Sequence, residues 1–178
     1  MRRLAALGLV LIAAVAKAHS VDVPKVDTVR LEPGLVTVTV DYVVPAVDAA
    51  DLRKLYDMDH DGRLAPRERD GAIRWLALAA THFLQLRLDG ASVDLIEDES
   101  VRAIDGLTDA SGDVSAVFVL SAAIRTHGKH KLELRDRHKD PSILVPVKLH
   151  LVGGVRGDAS EAVLGPERAV LAVGFTGP

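Results

Sequence analysis

Apolar residues that recur at every second position constrain this chain more than any other feature, because only an extended strand turns such a pattern into one buried and one wetted face. Between Leu35 and Val44 the pattern places Val36, Val38, Val40, Tyr42 and Val44 on one face and Thr37, Thr39 and Asp41 on the other. Most of these residues are β-branched and fit a pleated, half-buried surface. Val26 to Leu31 precedes this strand across Glu32-Pro33-Gly34, a tripeptide of turn formers that predicts a hairpin.

Further alternating segments follow residue 84. Leu84 to Leu88 and Ser92 to Ile96 flank Asp89-Gly90, which favours a tight primed turn and a second hairpin. Ala116, Phe118, Leu120, Ala122 and Ile124 define a long strand, after which His127-Gly128-Lys129 turns the chain into Lys131 to Arg135, with Leu132 and Leu134 inward. Val145, Val147, Leu149 and Leu151 alternate with polar neighbours, Pro146 suggests an edge position, and Leu171, Val173 and Phe175 close the pattern. About eight short strands separated by turn signals predict a mainly β fold, an antiparallel immunoglobulin-like sandwich, as one domain over residues 19–178.

From about residue 46 to 84 the period changes from two to about 3.6, the mark of a helical insertion. Asp48 is placed as an N-cap with Asp51 three residues on, and Leu52, Leu55 and Tyr56 share a face. A second helix is expected to start near Pro66 and to bury Ile73, Leu76, Ala77, Ala80 and Phe83.

Between the two helices lies Asp57-Met58-Asp59-His60-Asp61-Gly62-Arg63-Leu64-Ala65-Pro66-Arg67-Glu68, which meets the pattern D-x-[DN]-x-[DN]-G-x₅-E at every specified position. A hard divalent ion wants six to eight oxygens, and a tightly wound loop can aim alternate side chains at it. The dodecapeptide resembles an EF-hand calcium loop. That resemblance implies side-chain ligands from Asp57, Asp59 and Asp61, a carbonyl from Arg63 and both oxygens of Glu68, with calcium rather than magnesium as the ion. Ala65 has no side-chain oxygen, so a water would complete the shell, while Leu64 is expected to turn into the apolar space between the helices. A metal-free acidic turn is the plainer alternative, opposed by the mutual repulsion of the aspartates. Ala65 together with Arg63, Arg67 and Arg69 predicts a modest affinity, on the order of 10⁻⁵–10⁻³ M. With one such loop, a structural staple is expected rather than a sensor that opens.

Arg2-Arg3, the apolar run Leu4 to Ala16 and the ending Ala16-Lys17-Ala18 predict a signal peptide over residues 1–18, cleaved after Ala18. Loss of Arg2, Arg3 and Lys17 takes the formal charge from −3 to −6. The apolar run is shorter than the ~20 residues needed to span a bilayer, so the mature chain is expected without a membrane span, in the periplasm or secreted to the medium. There is no cysteine, which excludes a disulfide scaffold, and no basic excess of the kind a nucleic-acid binder carries.

Cleavage would make His19 the mature N-terminus, where amine and imidazole could chelate copper with one of His82, His127, His130, His138 or His150; a copper-binding periplasmic protein is therefore the alternative function. His127, His130 and His138 lie among Lys129, Lys131, Arg135, Arg137 and Lys139 in what is expected to be a solvated hairpin end. Asp105, Asp109 and Asp113 are taken as a charged loop, and His82 with Trp75 as packing residues. No nucleophile elbow, phosphate loop or H-E-x-x-H motif is present, so no enzymatic activity is expected. The order of signal peptide, Ala-His start, paired β segments, EF-hand insertion and β-rich remainder is similar to the extracytoplasmic domain of bacterial hydrogenase/urease-accessory-type transporters. That likeness implies a binding or accessory module with calcium and another extracytoplasmic protein as partners; no membrane segment follows to carry transport over.

Overall fold

A computed structural model describes residues 25–138, 140, 142–157, 161–168 and 170–178. The expected signal peptide at 1–18 and His19 lie outside these residues. Among the described residues no helix is long and apolar enough to cross a membrane.

The chain is mainly β, with two sheets around one core. The first hairpin forms as the alternation requires: β1 (Lys25–Glu32) pairs antiparallel with β2 (Leu35–Val44), and Glu32 faces Leu35 across the two-residue turn Pro33-Gly34. Gly34 sits at φ +81°, a conformation glycine adopts without steric cost. Two helices, α1 (Ala46–Tyr56) and α2 (Pro66–Thr81), then carry the chain to the second sheet. There β3 (Gln85–Leu88) and β4 (Ala91–Val93) form a hairpin whose turn residues, Asp89 at φ 52° and Gly90 at φ 83°, are both left-handed as a type I′ turn demands.

The remaining strands are β5 (Ile96–Glu97), β6 (Ala103–Asp105), β7 (Val114–Ala123), β8 (Gly128–Arg135), β9 (Val145–Leu151), β10 (Arg156–Gly157), β11 (Glu161–Leu164) and β12 (Leu171–Gly177). The seven-stranded sheet runs β11-β9-β1-β2-β7-β5, with β6 also on β7; the five-stranded sheet runs β10-β12-β8-β3-β4.

Several expectations need correction. The sandwich is not wholly antiparallel, because β1 and β9 pair in parallel from Asp27↔Val147 to Leu31↔Leu151. Among the described residues twelve strands stand where eight were expected, since β5, β6, β10 and β11 have two to four residues and are too short to display a period. Ser92 to Ile96 is not one strand: β4 belongs to the smaller sheet and β5 to the larger, so Asp94-Leu95 crosses between layers. β7 and β8 likewise lie in different sheets rather than in one hairpin. Pro146 is not on an edge strand. β9 lies between β11 and β1, and Pro146 is tolerated because the parallel ladder to β1 begins only at Val147.

The helices follow the same physics with different details. Asp48 does not cap α1, whose N-cap is Pro45; the Ala46 N–H instead donates to Asp113 Oδ1 at 2.7 Å. Ala49 and Leu52 are buried, whereas Leu55 is 69% exposed and Tyr56 half-buried. In α2 the buried line is Glu68, Ala72, Leu76 and Ala80, a strict fourfold spacing, with Ile73 and Ala77 half-buried on its flanks and Phe83 half-buried beyond the helix end. The small residues of this line let α2 lie close to β2 and β7, and Gly71 gives the Tyr56 ring room against the helix, since a Cβ there would meet it at 3.0 Å. Leu76→Ala is expected to cost about 2–5 kcal/mol in urea denaturation, and Leu55→Ala to stay within about 0.5 kcal/mol of the parent; equal effects would contradict this placement.

Candidate metal centre

The loop begins where α1 runs out of helical backbone: Asp57 at the C-cap donates its N–H to the Arg53 carbonyl at 2.9 Å. Two left-handed residues, His60 at φ 59° and Gly62 at φ 80°, then wind the chain back toward α2. The second of these needs glycine on conformational grounds alone, because no atom lies within 4 Å of where a Cβ would stand.

The carboxylates themselves organise the turn. Asp57 Oδ1 and Oδ2 accept from the Asp61 and Gly62 N–H groups at 3.1 and 3.0 Å, and Asp59 Oδ1 accepts from the Asp61 N–H at 3.2 Å. Asp61 Oδ1 accepts from the Arg63 N–H at 2.8 Å. Glu68, buried in the first turn of α2, accepts from the Met58 N–H at 2.7 Å and the Ala65 N–H at 2.8 Å, so it ties both ends of the loop together. Pro66 at the first helical position fits because no N–H is needed there.

One carboxylate oxygen each from Asp57, Asp59 and Asp61 lies within 4.8 Å of the other two. Like charges at that spacing repel by about 1 kcal/mol per pair even in water, and a cation between them removes the repulsion. Glu68 is not gathered into this group; its oxygens are turned to the two backbone donors. Each carboxylate oxygen keeps a second lone pair, so these bonds leave the donors able to coordinate. The donor set is all oxygen and suits a hard cation such as Ca²⁺. Leu64 is half-buried against the core, while Arg63 is exposed.

A second set of contacts, not legible beforehand, fixes the loop relative to the sheets. Arg53 Nη2 donates to the Gly106 and Gly112 carbonyls at 2.7 and 3.0 Å, and Nε to the Leu107 carbonyl at 3.3 Å. With Asp113 capping α1, the segment 106–113 grips that helix at both ends. Asp109 is exposed, in keeping with a charged loop, but Asp105 is the exposed last residue of β6, paired with Ser115, and Asp113 has a structural partner.

The histidines are dispersed. His82 meets Phe83 edge-on, His127 Nδ1 lies 2.8 Å from the Pro178 carbonyl, and His150 is exposed on β9. His138 is not at a solvated end; it is buried and stacked on Tyr42, with centroids 5.9 Å apart. His130 Nδ1 lies 2.7 Å from Asp89 Oδ2 and Nε2 3.0 Å from the His127 carbonyl. Trp75 packs against the core.

No family model matches the chain, and no curated protein matches it.

The hydrogen bond to Asp89, then that to the His127 carbonyl, holds His130 above the ordinary histidine value; the same imidazole, then the Lys131 N–H, holds Asp89 below the usual carboxylate range. Because His130 is raised, its contribution is complete below the unfolded-state value and is lost as pH rises through the folded one; Asp89 contributes above its unfolded-state value and fades as pH falls. NMR titration is expected to find His130 above a free histidine and to show it dropping in Asp89→Asn. No difference between the two proteins would contradict the contact.

Proposed function

We propose that the protein binds one calcium ion in the loop Asp57–Glu68, as a single EF-hand set into an immunoglobulin-like sandwich that serves as an extracytoplasmic binding or accessory module. The observation that carries this reading is the gathering of the Asp57, Asp59 and Asp61 carboxylates on a loop already wound by their own bonds to backbone N–H groups. The spacing of Arg63 and Glu68, the left-handed Gly62 and the inward Leu64 support the same ligand set: Asp57, Asp59, Asp61, the Arg63 carbonyl and Glu68.

In this reading the ion is a staple. It ties the end of α1 to the start of α2, and those helices form the connection from the larger sheet to the smaller, so the ion restricts how the connection sits on β2 and β7. Export through residues 1–18 would bring the chain to millimolar calcium. At ~1 mM calcium and ~10⁻⁴ M affinity, binding adds about 1.4 kcal/mol of stability.

Isothermal calorimetry is expected to give one site per chain with a dissociation constant of about 10⁻⁵–10⁻³ M. Asp59→Ala and Glu68→Gln are each expected to weaken it about tenfold or more, since affinity follows the count of charged ligands. Unchanged affinity in Glu68→Gln would remove that residue from the ligand set.

A further inference from the structure

Three ionisable side chains meet where β1 enters the core. Lys25 and Asp27 occupy inward positions of β1, Asp136 follows β8, and none is more than 4% exposed. Lys25 Nζ lies 2.7 Å from Asp136 Oδ2 and also donates to the Ala80 carbonyl at the end of α2. The Arg137 N–H holds Asp136 Oδ1 at 2.6 Å. One amine therefore touches one carboxyl group, with a second carboxyl buried two residues along the same face of β1, and solvent barely reaches any of the three.

Among the described residues no donor faces either oxygen of Asp27, so its ionised form would be an uncompensated buried charge. Burial, then the charge of Asp136 and the hydrogen bond to it, holds the Asp27 carboxyl well above the usual range; Lys25 opposes this and Asp41 adds to it. Asp27 thus favours its protonated form in the neighbourhood of Asp136, the same carboxyl that Lys25 touches.

We propose that Lys25 and Asp136 condense to an intramolecular amide, with Asp27 as the acid that relays protons for the reaction. One Nζ proton crosses the contact to Asp136 and frees the nitrogen lone pair, which attacks Cγ. Asp27 protonates the oxygen that becomes negative, takes a proton from the bonded nitrogen and delivers it to the hydroxyl that departs. The remaining hydroxyl returns a proton to Asp27. One C–N bond forms, one C–O bond breaks and one water leaves; no oxidant or reductant is needed, and Asp27 ends as it began.

Two conditions favour the step. The amine and the Asp136 carboxyl are held side by side by strand, helix end and post-β8 segment together, which removes the entropy of bringing them together. The dry setting also disfavours the separated charges that make the same condensation unfavourable in water. A cavity of about 350 Å³ is lined in part by Asp136, Phe83 and Arg137, beside the proposed bond. The bond would close the chain from residue 25 to residue 136 in a protein that has no cysteine for a disulfide.

Intact-mass spectrometry of the folded full chain, with sequencing of its proteolytic fragments, decides the matter. The expected result is a mass below that calculated for the observed termini by one water, and a branched peptide joining Lys25 to Asp136. Lys25→Arg and Asp27→Asn are expected at full mass, with circular dichroism confirming the fold. A wild-type chain at full mass with unlinked peptides overturns the proposal. So does a water loss mapped to Asp61-Gly62, Asp89-Gly90 or Asp105-Gly106, which would report succinimide closure instead. Branched peptide at wild-type yield in Asp27→Asn would overturn the role given to Asp27.

Discussion

The line Ala72, Leu76, Ala80 on α2, laid against the inner faces of β2 and β7, is the contact on which the arrangement of the chain turns. All three are fully buried, as are Val40, Val114 and Phe118 in the sheet they help cover. Leu76 alone accounts for roughly 2 kcal/mol of apolar burial, and its alanine neighbours allow the close approach. Because α1 and α2 are the only link from β2 to β3, seating α2 also determines where the smaller sheet begins. The dodecapeptide is then held at the outer end of the helix pair, with Glu68 as the first member of the buried line and an anchor of the loop at once.

Residues whose neighbours in sequence decide their fate were legible. β2 matches its alternation from Leu35 to Val44, Asp89-Gly90 forms the primed turn its residues favour, and Pro66 opens α2. Residues whose fate depends on distant chain were not. Asp113 caps a helix 67 positions earlier, and Arg53 reaches carbonyls more than 50 positions on, so no local pattern announces either. The parallel pairing of β1 with β9 is a long-range choice of the same kind. One signal was present without being recognised: Lys25 and Asp27 share parity with Val29 and Leu31, which already placed two charges on the inward face of β1.

These two charges and the loop represent opposite solutions to the same electrostatic problem. In the loop, three aspartates remain near water, where backbone N–H groups and a cation can balance them. In the core, Asp27 and Asp136 are buried near a single amine, and burial together with the Asp136 charge pushes Asp27 toward its protonated form. The first site is suited to reversible exchange with a soluble ion, and the second to permanence.

Thermal unfolding of the folded chain in ~1 mM Ca²⁺ and in EGTA tests the central claim most directly, because it needs no variant and reads the link between ion and fold. With a stabilisation of about 1.4 kcal/mol, the midpoint should rise by about 3–6 °C in calcium for a chain of this size, and the rise should saturate with concentration. Coincident melting curves across that range would contradict a calcium site in the Asp57–Glu68 loop.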